Sequence, residues 1–269
     1  MRKLLGLLLC FVFVSVANCF AGPGSLKPRH VLELAPEVFY FSYKEPGVMK
    51  ENGVMYGLLA SYAYRNINNI MLKAEGRGSG GTVDYKNSGT LNDIPDFSME
   101  FRGLGGYDIE TNQNLTITPY LGVGYRYLND DSSGKLTSTG AAGYERESNY
   151  VYIPIGVEGN YKVENGWSVG ATVEYDIFVW GTQKSHLSDA SSSFSDLTND
   201  QHRGYGVRGS IKLQKKGKKL DFIVEPFIRY WNIGQSEDSN ITYSGVIVGY
   251  GYEPKNNTTE YGINFGVKF

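Results

Sequence analysis

The chain has few cysteines, no marked excess of charge and no long apolar run beyond its amino-terminal stretch. Its cysteines are Cys10 and Cys19, and 26 basic against 28 acidic residues leave a net charge of -2. Charge this balanced offers no surface for a nucleic acid, so we expect no nucleic-acid partner. The lack of long apolar runs after residue 20 excludes membrane-spanning helices. It does not exclude a transmembrane β-barrel, in which only alternate residues face lipid.

The first 21 residues have the layout of a secretory signal peptide. Residues 1–3 are a basic start, residues 4–17 are apolar, and residues 19–21 supply small residues at the spacing of a cleavage site. We therefore expect a cleaved signal peptide at 1–21 and a single domain at 22–269, with lipidation of Cys19 as the alternative. Cleavage would remove both cysteines together with the signal peptide, so the mature chain would contain no disulfide. An exported protein of this size without disulfides is typical of a bacterial envelope.

Aromatic residues and glycine are abundant, with 21 tyrosines, 13 phenylalanines and 34 glycines, and apolar residues recur at every second position. This period places alternate side chains on opposite faces of a β-strand. Ten such segments approach the roughly 9–11 residues of a tilted membrane strand. They are residues 30–43, 54–64, 70–77, 97–102, 115–127, 151–158, 167–179, 205–213, 221–230 and 261–269. The pattern predicts an all-β fold.

The connections between these segments alternate between long and short. Long polar links occupy 78–96, 129–149, 181–203 and 234–260, a moderate one occupies 44–53, and short links occupy 65–69, 108–114, 162–166 and 214–219. Tight turns at one end and long loops at the other are typical of outer-membrane barrels. We therefore predict a single antiparallel transmembrane β-barrel of about ten strands, with both termini periplasmic. The apolar stretch 241–252 is expected to form a hairpin within the last long loop.

Charged residues collect on one face of the predicted strands. They are Lys73, Glu75, Arg77, Glu100, Arg102, Arg126, Glu158, Glu174, Asp176, Arg208, Glu225 and Arg229, together with Lys212 and Asp221. A lysine or arginine facing lipid at mid-bilayer costs about 2–4 kcal/mol, so this face is predicted to line the lumen. Because ten strands enclose little more than side chains can fill, a plugged lumen with a polar network is expected, with a narrow conduit as the alternative.

Aromatic residues also cluster near the strand ends, where interfacial girdles form in membrane barrels. We expect girdle positions for Tyr40, Tyr43, Tyr62, Tyr64, Tyr125, Tyr127, Trp167, Trp180, Tyr230 and Trp231.

The last nine residues carry the clearest alternation in the chain. One face is apolar throughout, formed by Tyr261, Ile263, Phe265, Val267 and Phe269. This ending resembles the carboxy-terminal strand of bacterial outer-membrane β-barrels, and the whole chain resembles their small opacity-type and porin-like members. The resemblance implies an integral protein of the Gram-negative outer membrane that contacts its lipid. It also implies that the barrel-assembly machinery reads these five residues, and that the external loops meet an unknown ligand.

One constellation suggests catalysis. Asp200 and His202 flank Gln201 at the start of the eighth segment, and Asp84 lies in the second of the predicted external loops, the long link 78–96. A carboxylate beside a histidine could orient it to activate water. The arrangement resembles the omptins, ten-stranded outer-membrane proteases, but the second aspartate of their Asp-x-Asp pair is missing because Tyr85 and Lys86 follow Asp84.

No zinc spacing, phosphate loop or dinucleotide fingerprint stands out, so neither a metal nor a cofactor is expected. The sequence therefore favours a non-enzymatic surface protein that acts in adhesion, ligand binding or envelope integrity. A porin-like conduit and an omptin-like endopeptidase are the alternatives.

Overall fold

A computed structural model describes residues 29–269 of the chain, and the expected signal peptide with its cleavage after Ala21 lies outside these residues. The described strands are β1 (Arg29–Glu45), β2 (Met49–Arg65), β3 (Ile70–Asn87), β4 (Gly89–Tyr107), β5 (Ile109–Glu110), β6 (Leu115–Asp131), β7 (Glu145–Lys162), β8 (Trp167–Ser185), β9 (Leu197–Gln201), β10 (Gly204–Lys215), β11 (Asp221–Ile233), β12 (Ser239–Tyr243), β13 (Val246–Gly251) and β14 (Asn256–Lys268). A single 3₁₀ turn spans Glu164–Gly166, and the short helix α1 spans Leu187–Ala190. Among the described residues, no helix is long and apolar enough to cross a membrane.

Ten of these strands close into an antiparallel barrel. The order around it is β1, β2, β3, β4, β6, β7, β8, β10, β11 and β14, and β14 pairs with both β11 and β1. Each barrel strand contains one of the ten predicted segments, except that Phe269 of the last segment lies one residue beyond β14, so the predicted fold is confirmed. The short strand β5 pairs with β6, and β9 pairs with the end of β8.

The even strand number places both ends of the described chain at one end of the barrel, here called the near end, together with the short turns. The opposite end, which carries the longer connections, is called the far end. That the near end faces the periplasm stays a prediction.

Two of the predicted links are largely strand. β3 and β4 continue until a turn at Ser88, and β1 and β2 until a turn at residues 46–48, so the predicted links 78–96 and 44–53 are wrong over most of their length. The inward alternation continues through buried Val83 and Ile94. Polar and glycine residues on the outward positions of this stretch hide the pattern from a sequence-based prediction. In contrast, the hairpin expected at 241–252 is present as β12 and β13.

The outward face of the barrel carries an apolar band. Tyr56, Leu121 and Val173 are each more than 60% exposed on it. Toward the far end the last apolar outward residues are Tyr40, Val54, Phe97, Tyr127, Val151, Trp180, Tyr205, Tyr230 and Tyr261. Beyond this ring the same face turns polar, with Asn52, Asn129 and Asn149. A band with a sharp polar border is the surface that a lipid bilayer requires of a barrel.

Two of the expected girdle residues lie inside instead. Tyr43 and Trp231 are buried and belong to an apolar cluster in the far half of the lumen, with Phe41, Tyr150 and Ile233. A smaller cluster of Met71, Leu104 and Tyr120 packs in the near half. The girdle prediction is wrong for Tyr43 and Trp231 because both share a strand face with inward residues, which the position near a strand end does not reveal.

Candidate functional site

The centre of the lumen is held by Arg208 on β10. Its Nε donates to Asp176 Oδ2 at 2.8 Å and its Nη1 to Glu100 Oε2 at 2.7 Å. The strand register places Arg208 directly beside Glu174 on β8, whose Oε1 lies 3.0 Å from Nε. The guanidinium also lies over the ring of Tyr152, 5.4 Å from its centroid. Charged hydrogen bonds of this kind satisfy groups that would be costly to bury alone.

Tyr152 reaches this network because the facing residue is Gly124. The Tyr152 hydroxyl donates to Glu100 Oε1 at 2.6 Å. A Cβ atom built on Gly124 would lie 2.1 Å from the Cζ of that ring, so any larger residue there would displace it.

Ion pairs cross the lumen between strands of opposite walls. Arg126 on β6 lies 2.5 Å from Glu260 on β14, and Arg102 on β4 lies 2.5 Å from Glu174 on β8. Because β6 and β14 are five strands apart in a ten-stranded barrel, their side chains meet across its full width. The lumen at this level is therefore filled by paired charges, and the cavity beside them, lined by Lys73, Glu75 and other charged residues, measures about 80 Å³.

The structure brings together all twelve charged residues that the alternation assigned to the lumen. Each takes part in at least one ion pair: Lys73, Glu75, Arg77, Glu100, Arg102, Arg126, Glu158, Glu174, Asp176, Arg208, Glu225 and Arg229. Lys212 joins them through Glu33 and Glu225, whereas Asp221 accepts a hydrogen bond from Gln214 near the near end.

Three carboxylates of the network escaped the sequence prediction. Glu33 and Glu37 on β1 pair with Lys212 and Arg77, and Glu260 on β14 pairs with Arg229 at 2.7 Å. Glu33 and Glu37 lie an even number of residues from inward-facing Phe39, so the alternation places them on the same face of β1. Pro36 interrupts this pattern in the sequence and obscured it. Glu260 directly precedes the predicted start of the last strand, which extends five residues further back than predicted.

A second charged cluster closes the far end of the lumen. Arg146, at the start of β7, contacts Glu45 at 2.5 Å and Glu253 at 2.9 Å, and the Tyr43 hydroxyl donates to Glu253 at 2.7 Å. This cluster joins the β13–β14 connection, which contains Glu253, to the far ends of β1 and β7, beyond the apolar band. Burial raises the pKa of Glu253 to about 7, although Arg146 acts to lower it. Two carboxylates thus share one guanidinium.

Three further carboxylates lie near this cluster without cations of their own. Asp96 stands opposite Asp130 in the β4–β6 ladder, and the Asp130 carboxylate also acts on the pKa of Glu51. Within the described residues, Asp96 Oδ1 and Asp130 Oδ1 are buried with no hydrogen-bond partner. Burial and then the Asp130 carboxylate raise the pKa of Glu51 well above its usual range, and burial also raises the pKa of Asp130.

The residues of the protease hypothesis are not brought together. The inward positions flanking Asp84 are Val83 and Tyr85, so the Asp84 carboxylate faces outward, where it accepts the Asp93 amide at 3.1 Å. Asp200 likewise faces away from buried Asn199 and Gln201. His202 is half exposed and lies 3.5 Å from Glu237. Among residues 29–269, no hydrogen bond or ion pair joins Asp84, Asp200 and His202.

The five residues of the proposed assembly signal lie on the outward face of β14. Tyr261, Phe265 and Phe269 are more than half exposed, and Ile263 and Val267 are partly exposed. Phe269 completes the closure of the barrel, since its N–H donates to Leu32 O at 2.9 Å.

Comparisons with known proteins agree with this architecture. The model of the autotransporter β-domain family matches residues 45–213. A search of curated proteins finds no match. Among solved structures, the outer membrane protease OmpT from Escherichia coli is 12% identical, with 91% of this chain and 98% of OmpT covered and a TM-score of 0.58.

Two further similar structures are the translocator domain of the autotransporter NalP from Neisseria meningitidis and Ail, the attachment invasion locus protein of Yersinia pestis. NalP is 12% identical over 90% of this chain and 89% of that one, with a TM-score of 0.44. Ail is 8% identical over 89% and 98%, with a TM-score of 0.32. At identities this low, the likeness to OmpT concerns the fold alone.

Proposed function

The chain belongs to the autotransporter β-domain family and is an integral outer-membrane β-barrel, and we propose that it is a non-enzymatic barrel that binds an extended polypeptide at its far end. The binding surface is the hairpin of β12 and β13. The barrel beneath it serves as a rigid, closed support.

The observation that carries this proposal is the exposed apolar surface of the hairpin. Val246, Ile247, Val248 and Tyr250 of β13 are between 54% and 72% exposed, and β13 contains no charged residue. These residues lie beyond the ring that ends the apolar band, so a bilayer does not account for them. A contiguous apolar patch in water marks an interaction site.

The free edge of β13 indicates the kind of ligand. In the described part of the chain β13 pairs with β12 alone, which leaves one row of its backbone groups open to a further strand. An extended peptide can add to such an edge through main-chain hydrogen bonds, while side chains such as Ile247 and Tyr250 supply specificity.

The hairpin is held in place before any ligand arrives. Asn199 Nδ2 donates to Glu237 O and to Gly251 O, both at 3.0 Å, and so fixes the two ends of the hairpin to β9. The rings of Phe194 and Tyr243 meet edge to face with centroids 5.0 Å apart. Binding to a surface that is already ordered avoids much of the entropic cost of ordering it.

The positions of the lumen ion pairs and of Asp84 argue against the two alternatives, a passive conduit and an omptin-like endopeptidase. A passive conduit needs a continuous water path, and the ion pairs between opposite walls occupy that path. An omptin-like endopeptidase needs its carboxylates and histidine around one cleft, and Asp84 faces the outside of the barrel.

The proposal is tested by selecting phage-displayed random peptides on the detergent-folded protein. We expect the enriched peptides to be rich in β-branched and aromatic residues. Their affinity for the double variant Ile247→Lys, Tyr250→Lys should be at least about tenfold lower than for the wild type, because two buried charges would face the peptide. Leu136→Lys is the matched control, since Leu136 is 64% exposed in another far-end connection. No enrichment, or equal binding to the double variant, would overturn the proposal.

A further inference from the structure

Three potential metal ligands converge on the outer face of the β7–β8 hairpin. A carboxylate oxygen of Glu145, one of Glu147 and a ring nitrogen of His186 all lie within 4.8 Å of one another. The strand period puts Glu145 and Glu147 on one face of β7. His186 follows the end of β8 and donates its N–H to Glu145 O at 2.9 Å, so the ladder places the imidazole beside both carboxylates.

Carboxylates lie beside both ring nitrogens of His186 and orient the ring. Its Nδ1 lies 3.2 Å from Asp196 Oδ2, and its Nε2 lies 2.8 Å from Glu147 Oε1. Asp196 is itself held by the Ser188 hydroxyl, which donates to Asp196 Oδ1 at 2.6 Å. A carboxylate beside Nδ1 favours a proton on that nitrogen, which would leave Nε2, the nitrogen beside Glu147, available to bind a metal. Metal-bound histidines are oriented by the same kind of partner.

The surroundings carry more negative charge than the described cations balance. Asp131 is the cross-strand neighbour of Glu145, and Asp189 Oδ2 accepts the Glu145 N–H at 3.0 Å. Lys184, 3.6 Å from Asp196, is the cation that pairs with this group in the described structure. The cluster lies beyond the apolar band, so an ion in water reaches it freely.

We propose that Glu145, Glu147 and His186 bind a divalent transition-metal ion of the Zn²⁺ type. One imidazole and two carboxylates are ligands that suit Zn²⁺ at about 2.0–2.2 Å, with water in the fourth position. Mg²⁺ and Ca²⁺ favour ligand sets made of oxygen alone. This inference is independent of peptide binding by the hairpin.

The test uses tag-free protein folded in detergent and calorimetric titration with ZnCl₂. The whole chain contains three histidines, so background binding is small. We expect one Zn²⁺ per chain and an affinity at least about tenfold weaker in His186→Ala, Glu145→Gln and Glu147→Gln. His202→Ala is the matched control, because His202 also lies at the far end beside a carboxylate, Glu237, at 3.5 Å.

Binding of Co²⁺ provides a spectroscopic readout of metal coordination. Loss of the ion pair between His186 and a carboxylate would not by itself change this readout. Bound Co²⁺ should give a visible absorption band that disappears in His186→Ala and persists in His202→Ala. Should His186→Ala not fold, the two near-isosteric glutamine variants decide the question. A titration without saturable Zn²⁺ binding, or one whose affinity survives these substitutions, overturns the proposal.

Discussion

At the scale of single residues, the interior of this barrel depends on charge pairing. Arg208 lies among Glu100, Glu174 and Asp176. Its removal would leave buried Asp176 without a cation in the described structure, whereas Glu100 and Glu174 would keep Arg77 and Arg102. Breaking a buried ion pair from one side costs about 3–5 kcal/mol, whereas an exposed pair contributes about 1 kcal/mol or less. The network therefore acts mainly as a constraint on which side chains can occupy the lumen.

Glu253 gives the far-end cluster a dependence on pH. Its pKa in the folded protein is raised from 4.5 to about 7, so the folded state binds a proton that the unfolded state has released. The resulting stability is present below about pH 4.5 and is lost as pH rises through 7. We expect Glu253→Gln to flatten this decline and to stabilise the protein at pH 8 by on the order of 2 kcal/mol.

The measurement is urea unfolding in detergent at pH 5 and pH 8. Because Glu51 and Asp130 also have raised pKa values, some decline remains in the variant. Glu237→Gln is the control, since Glu237 is exposed at the same end, and it should keep the wild-type pH profile. Equal profiles for wild type and Glu253→Gln would contradict the assignment.

At the scale of elements, β14 decides whether the sheet becomes a barrel. It is hydrogen bonded to β1 on one side and to β11 on the other. Its outward residues match the apolar band, and its inward residues Glu260 and Asn264 face the lumen. That the barrel-assembly machinery reads this strand stays a prediction.

Gly262 is the point on β14 where substitution should prevent closure. A Cβ atom there would lie 2.2 Å from Val38 O on β1, and backbone cannot move aside as a flexible side chain can. We expect Gly262→Val to lose the heat-modifiable migration on gels that marks a folded barrel. Gly249→Val should retain it, because a Cβ at Gly249 meets nothing within 4 Å. A folded Gly262→Val barrel would show that β14 and β1 tolerate a wider separation.

At the scale of the whole molecule, the barrel is filled along its axis. The near end opens into a cavity of about 390 Å³, the middle is crossed by ion pairs, and Arg146 with its partners closes the far half. Ten strands leave little room beyond what side chains occupy. This filling agrees with the proposed role of the barrel as a support for its far end.

We accordingly expect the protein to be silent in planar lipid bilayers at neutral pH, because paired charges of the described residues fill the middle of the lumen. Single-channel recording of the detergent-folded protein provides the measurement. The double variant Arg126→Ala, Arg208→Ala, which removes two of the crossing guanidinium groups, is the comparison and should show occasional openings. Steady conductance of the wild type would contradict a closed lumen.

The sequence by itself determined the strands, their order and the direction of most side chains. Alternation is a local property, and the lipid outside accepts only one kind of face, so residues from Lys73 to Arg229 could be assigned to the lumen from the alternation alone. This assignment failed where the pattern is masked, as at Glu33 and Glu37 beside Pro36, and the strand prediction failed along β3 past Arg77.

Only the tertiary structure decided which residues meet. Arg126 and Glu260 are 134 positions apart and touch because the sheet closes. Glu145 and His186 meet because the β7–β8 ladder pairs their neighbours Arg146 and Ser185. Asp84 faces outward because its inward neighbours Val83 and Tyr85 pack against the core. Local alternation says which face a side chain takes, whereas contact across a lumen depends on strand register and closure, which arise from the whole chain at once.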